Sequence, residues 1–210
     1  MRLIILLTLY ALPLVLRANG DSVAYTHDYE FREGIFLTVE QFKQNKPIKK
    51  SDIISSVPAG QVDFMNEVMS HKIVTYRDST GKEQQLESST VWGYCQNRNI
   101  YMNFNNDFNR ISMVGTVCHL VATITTYSSY HDPMNLNYAI NNSYDELRQF
   151  VFDTRTNKVL DFNVRNMEMI LESDKELHEE FMKLSKRKKA DSIFIFLRRF
   201  NAKHPLYLPG

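Results

Sequence analysis

Apolar and polar positions alternate over short stretches through residues 71–162. Runs of β-branched and aromatic residues recur at Lys72–Arg77, Glu83–Glu87, Val91–Cys95, Ile100–Phe104, Phe108–Val114 and Val117–Thr126, the pattern of half-buried strands. Turn chemistry separates them at Asp78-Ser79-Thr80-Gly81, Asn97-Arg98, Asn105-Asn106-Asp107 and Gly115, where side chains bond their own backbone or tolerate a left-handed conformation. After a polar loop around His131-Asp132-Pro133, Gln149–Asp153 and Lys158–Phe162 read as a further hairpin turning at Thr154-Arg155-Thr156-Asn157. The pattern predicts an antiparallel meander.

Beyond residue 163 the period changes. Val164, Met167 and Ile170 or Leu171 mark one side of a short helix, and Leu177, Phe181 and Leu184 mark one face of the next. Ser173 followed by Glu176 is a capping-box pattern for that second helix. Periodicity alone leaves Ile193–Leu197 open between a buried helix and a strand; the flanking charges and Arg198-Arg199-Phe200 favour helix. Upstream, Gly34–Thr38 reads as a strand and Val39–Asn45 as a helical turn or two, with Thr38 as its cap and Gln41 three residues on. Val62–Ser70 stays open between strand and helix. The expected fold is α+β: an antiparallel β-meander, curled or barrel-like, with C-terminal helices packed on it. It forms one domain over 21–210, sheet-rich over 71–162 and helical over 163–204.

Taking Asn97-Arg98 as a two-residue hairpin loop sets a register. Cys95 then faces Ile100, Tyr94 faces Tyr101, and Trp92 faces Asn103. Strict alternation collects Val91, Cys95, Ile100, Met102 and Phe104 on a core face. Trp92, Tyr94, Tyr101 and Asn103 fall on the other. Aromatic rings with polar tips suit either a binding platform or a surface covered by the C-terminal helices.

Residues 3–16 are an apolar run behind Arg2. A spanning helix needs roughly 20 residues, so this run has the length of a secretory signal core. Ala18-Asn19-Gly20 supplies small residues for cleavage before Asp21. The expected products are a signal peptide over 1–20 and an exported chain in the periplasm, the outer envelope or the medium. The whole chain is 43% hydrophobic and 23% charged with a formal charge of +1, an ordinary globular composition. Near-neutral charge removes the electrostatic case for nucleic acid, and no second long apolar stretch argues for membrane contact after cleavage.

Cys95 and Cys118 both alternate with apolar neighbours. Outside the cytosol such a pair forms a disulfide or remains as two buried thiols, and the residues leave both open. The histidines lack metal-ligand spacing; His178-Glu179-Glu180-Phe181-Met182 fails as a zinc-protease helix because Met182 stands where the second histidine belongs. Cys118 cannot pair with the adjacent His119, since neighbouring strand residues point to opposite faces; His119 is expected to face solvent or a helix. Lys183, Lys186, Arg187, Lys188 and Lys189 form a basic cluster that reads as a solvated helix junction. No catalytic residue, metal or cofactor is indicated.

Four stretches belong together: Gly34–Thr38 with Glu40–Lys43, Val91–Tyr94, Ile100–Asn103 with Phe108–Ile111, and Phe200–Tyr207. As an ordered set they resemble a family of exported proteins of unknown function from Bacteroidetes-type bacteria. The resemblance implies export from a Gram-negative cell and carries over no site residue. The expected function is non-enzymatic binding of a ligand or protein partner in the envelope or outside it, through Trp92, Tyr94 and Tyr101. The rival is a hydrolase whose site is assembled from distant residues.

Overall fold

A computed structural model describes residues 21–131 and 139–210, with side chains for all but 128–131 and 139–142. The expected signal peptide over 1–20 and the Asp132-Pro133 part of the expected loop lie outside the described residues.

The chain order is β1 (Ser22–Ala24), β2 (Gly34–Phe36), α1 (Val39–Lys43), β3 (Ile48–Lys49), β4 (Ile53–Ile54), α2 (Phe64–Ser70), β5 (Ile73–Arg77) and β6 (Glu83–Glu87). There follow β7 (Gly93–Gln96), β8 (Asn99–Phe104), β9 (Asp107–Met113), β10 (Val117–His131), β11 (Ala139–Asp153) and β12 (Lys158–Asp161). The chain ends with α3 (Val164–Leu171), α4 (Lys175–Met182), α5 (Lys186–Lys203) and β13 (Tyr207–Pro209). Strands β7 to β12 form a meander, extended at the β7 edge by β2 and β3 into eight strands, but β5 and β6, expected as its first two strands, stand outside it. A three-stranded sheet, β4-β5-β6, and a two-stranded one, β1-β13, complete the α+β fold.

The large sheet is strongly curled. Phe36, Cys95, Met102, Ile111, Leu120 and Phe152, from β2 through β11, meet in one core on its inner face. Helix α1, Phe31 and the β1–β13 pair close this core from the open side, with Leu206 and Leu208 buried in it. A second core lies on the outer face, where Val117 and Val151 pack against Met167, Leu171, Phe181, Leu197 and Phe200 of the C-terminal helices. Asn201 of α5 ties the two layers together: its Oδ1 accepts from Val117 N–H at 2.9 Å and its Nδ2 donates to Val117 O at 2.8 Å.

Local signals act as their chemistry requires. Thr38 Oγ1 accepts from Gln41 N–H at 3.3 Å, and Gln41 Oε1 accepts from Leu37 N–H at 2.7 Å. Asn97 and Arg98 have φ of 49° and 63°, the left-handed pair of a two-residue hairpin, and Cys95 pairs with Ile100 and Tyr94 with Tyr101 as expected. Residues 193–197 are helical, as is 64–70.

Three further expectations need correction. The cap of α4 is Asp174, not Ser173: Asp174 accepts from Leu177 N–H while Ser173 Oγ turns back to Ile170 O. Strands β10 and β11 run 15 residues each, far beyond Thr126 and Gln149. Their outer halves lie past the paired parts of β9 and β12, and there the sequence carries no apolar alternation to reveal them. The third correction concerns the faces of β7. Trp92 joins the inner core with Cys95, while Val91 packs with Tyr94. Alternation breaks at Gly93, where a Cβ would fall 2.2 Å from Tyr101 O.

Candidate functional site

The structure separates the three residues expected to share a platform and brings only two of them together. Tyr94 and Tyr101 stack at 4.8 Å, but Tyr94 is 1% exposed. Phe64, Met65, Val68 and Met69 of α2 and Val74 of β5 cover them. The covering element is therefore α2 with the small sheet, and not the C-terminal helices. Burial pushes the Tyr94 phenol above its ordinary range, with the neighbouring Tyr101 and Asp107 adding to the effect. Trp92 lies on the opposite face, stacked on Phe42 at 4.5 Å. Trp92 and Tyr101 are half-buried, each on a different face. Cys95 and Cys118 are buried free thiols in the inner core; burial pushes each up to about 12.

An open cleft of about 510 Å³ lies where the ends of α1, β11 and α5 meet the β13 segment, lined by Lys43, Thr116, Thr154, Arg155, Lys203, His204 and Pro205–Tyr207. Each cation there is placed by the fold. Lys43, at the last turn of α1, donates its Nζ to Thr154 O, which satisfies a donor but not the charge. Arg155 sits in the β11–β12 turn. Buried Asp153 holds its guanidinium through Nε at 2.9 Å and Nη2 at 2.7 Å, and its Nη1 reaches Ser173 Oγ at 2.7 Å. The guanidinium lies over the Phe200 ring at 5.0 Å. Lys203 ends α5, where a helix C-terminus favours a positive group, and His204 follows as its C-cap. Asp174 receives both, Lys203 Nζ at 2.9 Å and His204 Nε2 at 2.6 Å.

Asp153 and Asp174 lie behind the cleft, each with its side chain about one-twentieth exposed; exposed Glu176 also takes Lys203 Nζ at 2.7 Å, and among the described residues no carboxylate lines the cleft itself. The Lys203 hydrogen bond, then the Leu177 N–H and His204, hold the Asp174 carboxyl well below the usual carboxylate range. The cleft therefore shows nitrogen donors with their orientations set in advance. Its threonine hydroxyls are committed: Thr116 Oγ1 donates to His204 O at 2.6 Å, and Thr154 Oγ1 to Thr116 O at 2.8 Å.

The sequence hides this cleft because its members come from four separate stretches of the chain, at 43, 116, 154–155 and 203–207. The available signal was slight: Lys43 and Lys203-His204 fall in two of the four stretches that carry the resemblance. Among the described residues no cluster of three metal-ligating side chains occurs, and no helix is long and apolar enough to cross a membrane. The basic cluster divides: Lys189 turns inward to Glu168 at 2.6 Å, while Lys183 and Lys186–Lys188 are exposed.

A family model, DUF6563, a family of unknown function, matches residues 34–204. No curated protein and no solved structure matches.

Proposed function

We propose that this chain, which belongs to the DUF6563 family of unknown function, is an exported binding protein whose cleft at Lys43, Arg155, Lys203 and His204 takes a small anionic ligand bearing a carboxylate or phosphate. One observation carries the reading: four nitrogen-bearing side chains converge on an open cleft, while Asp153 and Asp174, which orient Arg155, Lys203 and His204, sit buried behind it. The volume falls within the roughly 300–1,000 Å³ typical of small-molecule sites. Forked guanidinium and compact ammonium groups together suit carboxylate or phosphate oxygens.

Export rests on the leader over 1–20, with Asp21 as the mature N-terminus. The periplasm, the outer envelope and the medium are the compartments this address allows. In support, β1 begins at Ser22 and pairs with β13, directly behind the expected cleavage point. The rival hydrolase reading gains nothing from the cleft, whose threonine hydroxyls both donate to main-chain oxygens beside the Asp174–His204 pair.

Titration calorimetry of the Asp21–Gly210 chain with inorganic phosphate, citrate and a sugar phosphate tests the binding reading. We expect saturable binding of at least one anion, weakening as salt rises and lost in the Lys43→Gln, Lys203→Gln double variant. No heat and no thermal shift with any of the anions overturns it. Intact mass of the protein from its native host tests export: a chain beginning at Asp21 supports it, and a full-length chain retained in the membrane overturns it.

A further inference from the structure

A serine hydroxyl meets an imidazole on the outer face of the large sheet. Strands β9 and β10 pair through Met113 with His119 and Ile111 with Leu120, which leaves Ser112 as an extra residue on β9. This is a β-bulge, a device that re-aims a side chain. Ile111 points into the inner core and Met113 packs in the outer one, so the bulge turns Ser112 and Met113 to the same side as His119. Ser112 Oγ lies 2.6 Å from His119 Nδ1. On the ring's other side, His119 Nε2 lies 3.1 Å from Gln149 Oε1 of β11.

With the Gln149 amide oxygen accepting from Nε2–H, Nδ1 presents its lone pair to the serine hydroxyl. Ser112 has one proton. Its Oγ stands 2.6 Å from Nδ1 and, at 3.2 Å, also within donating reach of His119 O, so the ring nitrogen is the nearer of its two acceptors. Phe162 and Phe194 hold the imidazole edge-on at 5.1 and 4.8 Å. Burial pushes His119 below its ordinary range, with the Gln149 bond opposing the shift only in part. The ring is thus neutral at neutral pH and able to take a proton. Ser112 itself is exposed. Val121 and Leu147 stand next on the same face of β10–β11, and Phe194 of α5 stands against His119; all three are exposed.

We propose that Ser112 and His119 are a catalytic nucleophile and general base for carboxylic esters with short apolar acyl groups, with Gln149 as the positioning residue that sets the imidazole tautomer. As Ser112 Oγ bonds to the ester carbonyl carbon, its proton passes to His119 Nδ1. The carbon–alkoxy bond then breaks and the leaving oxygen takes that proton, releasing the alcohol and leaving acyl-Ser112. Water attacks the acyl carbon, gives a proton to Nδ1, and Ser112 Oγ leaves and recovers it. The sum is ester plus water to acid plus alcohol. Val121, Leu147 and Phe194 supply an apolar surface for the acyl chain. An amide in place of an acid behind the histidine is one of the recurring variants of this arrangement.

The test uses the whole mature chain with p-nitrophenyl butyrate and, separately, a fluorophosphonate probe read by peptide mass spectrometry. We expect p-nitrophenol release above buffer and one modified serine, Ser112. The exposed Ser112→Ala change should abolish labelling and lower hydrolysis by about a hundredfold or more, while anion binding in the basic cleft is unchanged. Gln149→Leu should displace the acid limb of the pH–rate profile, and Gln149→Glu should restore activity. No label on Ser112, or a Ser112→Ala rate equal to that of the parent, overturns the proposal and leaves the Ser112–His119–Gln149 chain as the closure of a bulge. An unmoved pH limb in an active Gln149→Leu variant overturns the part assigned to Gln149.

Discussion

The rings of Trp92 and Phe152 lie 5.8 Å apart across the inner face of the large sheet. Trp92 precedes β7 and Phe152 lies in β11, four strand positions away. In a flat sheet that separation is roughly 19 Å, at about 4.8 Å per strand. The contact therefore measures the curl, and Phe104 to Phe150 at 4.8 Å, from β8 to β11, repeats it.

Trp92 should consequently be one of the more costly residues to truncate. Trp92→Ala is expected to lose about 3–5 kcal/mol. The indole Nε1 is buried with no acceptor among the described residues. Trp92→Phe removes that unsatisfied donor while keeping a ring against Phe42, so it should cost clearly less than Trp92→Ala. Urea unfolding of both variants, followed by circular dichroism, checks the order; equal losses would show that the ring itself contributes little.

The same region shows how far the sequence could be read. Strand Glu83–Glu87, the Asn97-Arg98 hairpin and its register follow from turn chemistry and alternation, because both are local. The face of Trp92 did not follow, since one glycine breaks the alternation through a contact with a different strand. Nor did the covering of Tyr94 and Tyr101, because α2 joins them through Met65 N–H, held by Gln96 Oε1 at 2.6 Å across 31 residues. The basic cleft and the Ser112 bulge share that limit. Both are made by register and curl, which place Lys43 beside Thr154 and Ser112 beside His119.

Both thiols should resist modification in the native state. Cys95 and Cys118 are buried, and each thiol is pushed up to about 12 by that burial. A maleimide at pH 8 should label neither until urea is added. The sign of the accompanying pH effect follows from the direction of the shift. The folded state keeps its thiol protons above about 8.5, where the unfolded chain loses them. Stability should therefore fall as pH rises beyond that value. The raised Tyr94 phenol acts in the same sense at higher pH. Urea midpoints from pH 7 to 10 read this directly; a flat profile would mean the thiols are solvated.

Asp174 links the start of α4 to the end of α5, through Leu177 N–H at 3.1 Å, Lys203 and His204. Its folded carboxyl is held below its unfolded value, first by the Lys203 bond. Its stabilisation is therefore present above the unfolded pKa of about 3.9 and is lost as pH falls. Asp174→Asn keeps a good N-cap and removes the charge. The variant should melt below the parent at pH 7, and the gap should narrow as pH falls through the carboxylate range. A gap that persists undiminished at pH 2 would assign the effect to packing instead.

The C-terminal helices should be inseparable from the sheet. Val117 and Val151 are fully buried only because Met167, Leu171, Phe181, Leu197 and Phe200 cover them. Burying one large apolar side chain is worth roughly 1.5–3 kcal/mol, against a total domain stability of about 5–15 kcal/mol. Loss of five such side chains exhausts that margin, and removing residues 164–210 also takes away β13 and its part in closing the inner core. A chain ending at Asn163 is expected to be insoluble or to lack a cooperative transition. The single change Phe181→Ala isolates the helix contribution. Its ring is 0% exposed and meets Phe196 edge-on at 4.8 Å, so the expected loss is about 3–5 kcal/mol. Thermal and urea unfolding of the two proteins decide the matter. A sharp, parent-like transition in the truncated chain would show that the sheet is stable without its helical layer, and Phe181→Ala would then lower only the order of α4 and α5.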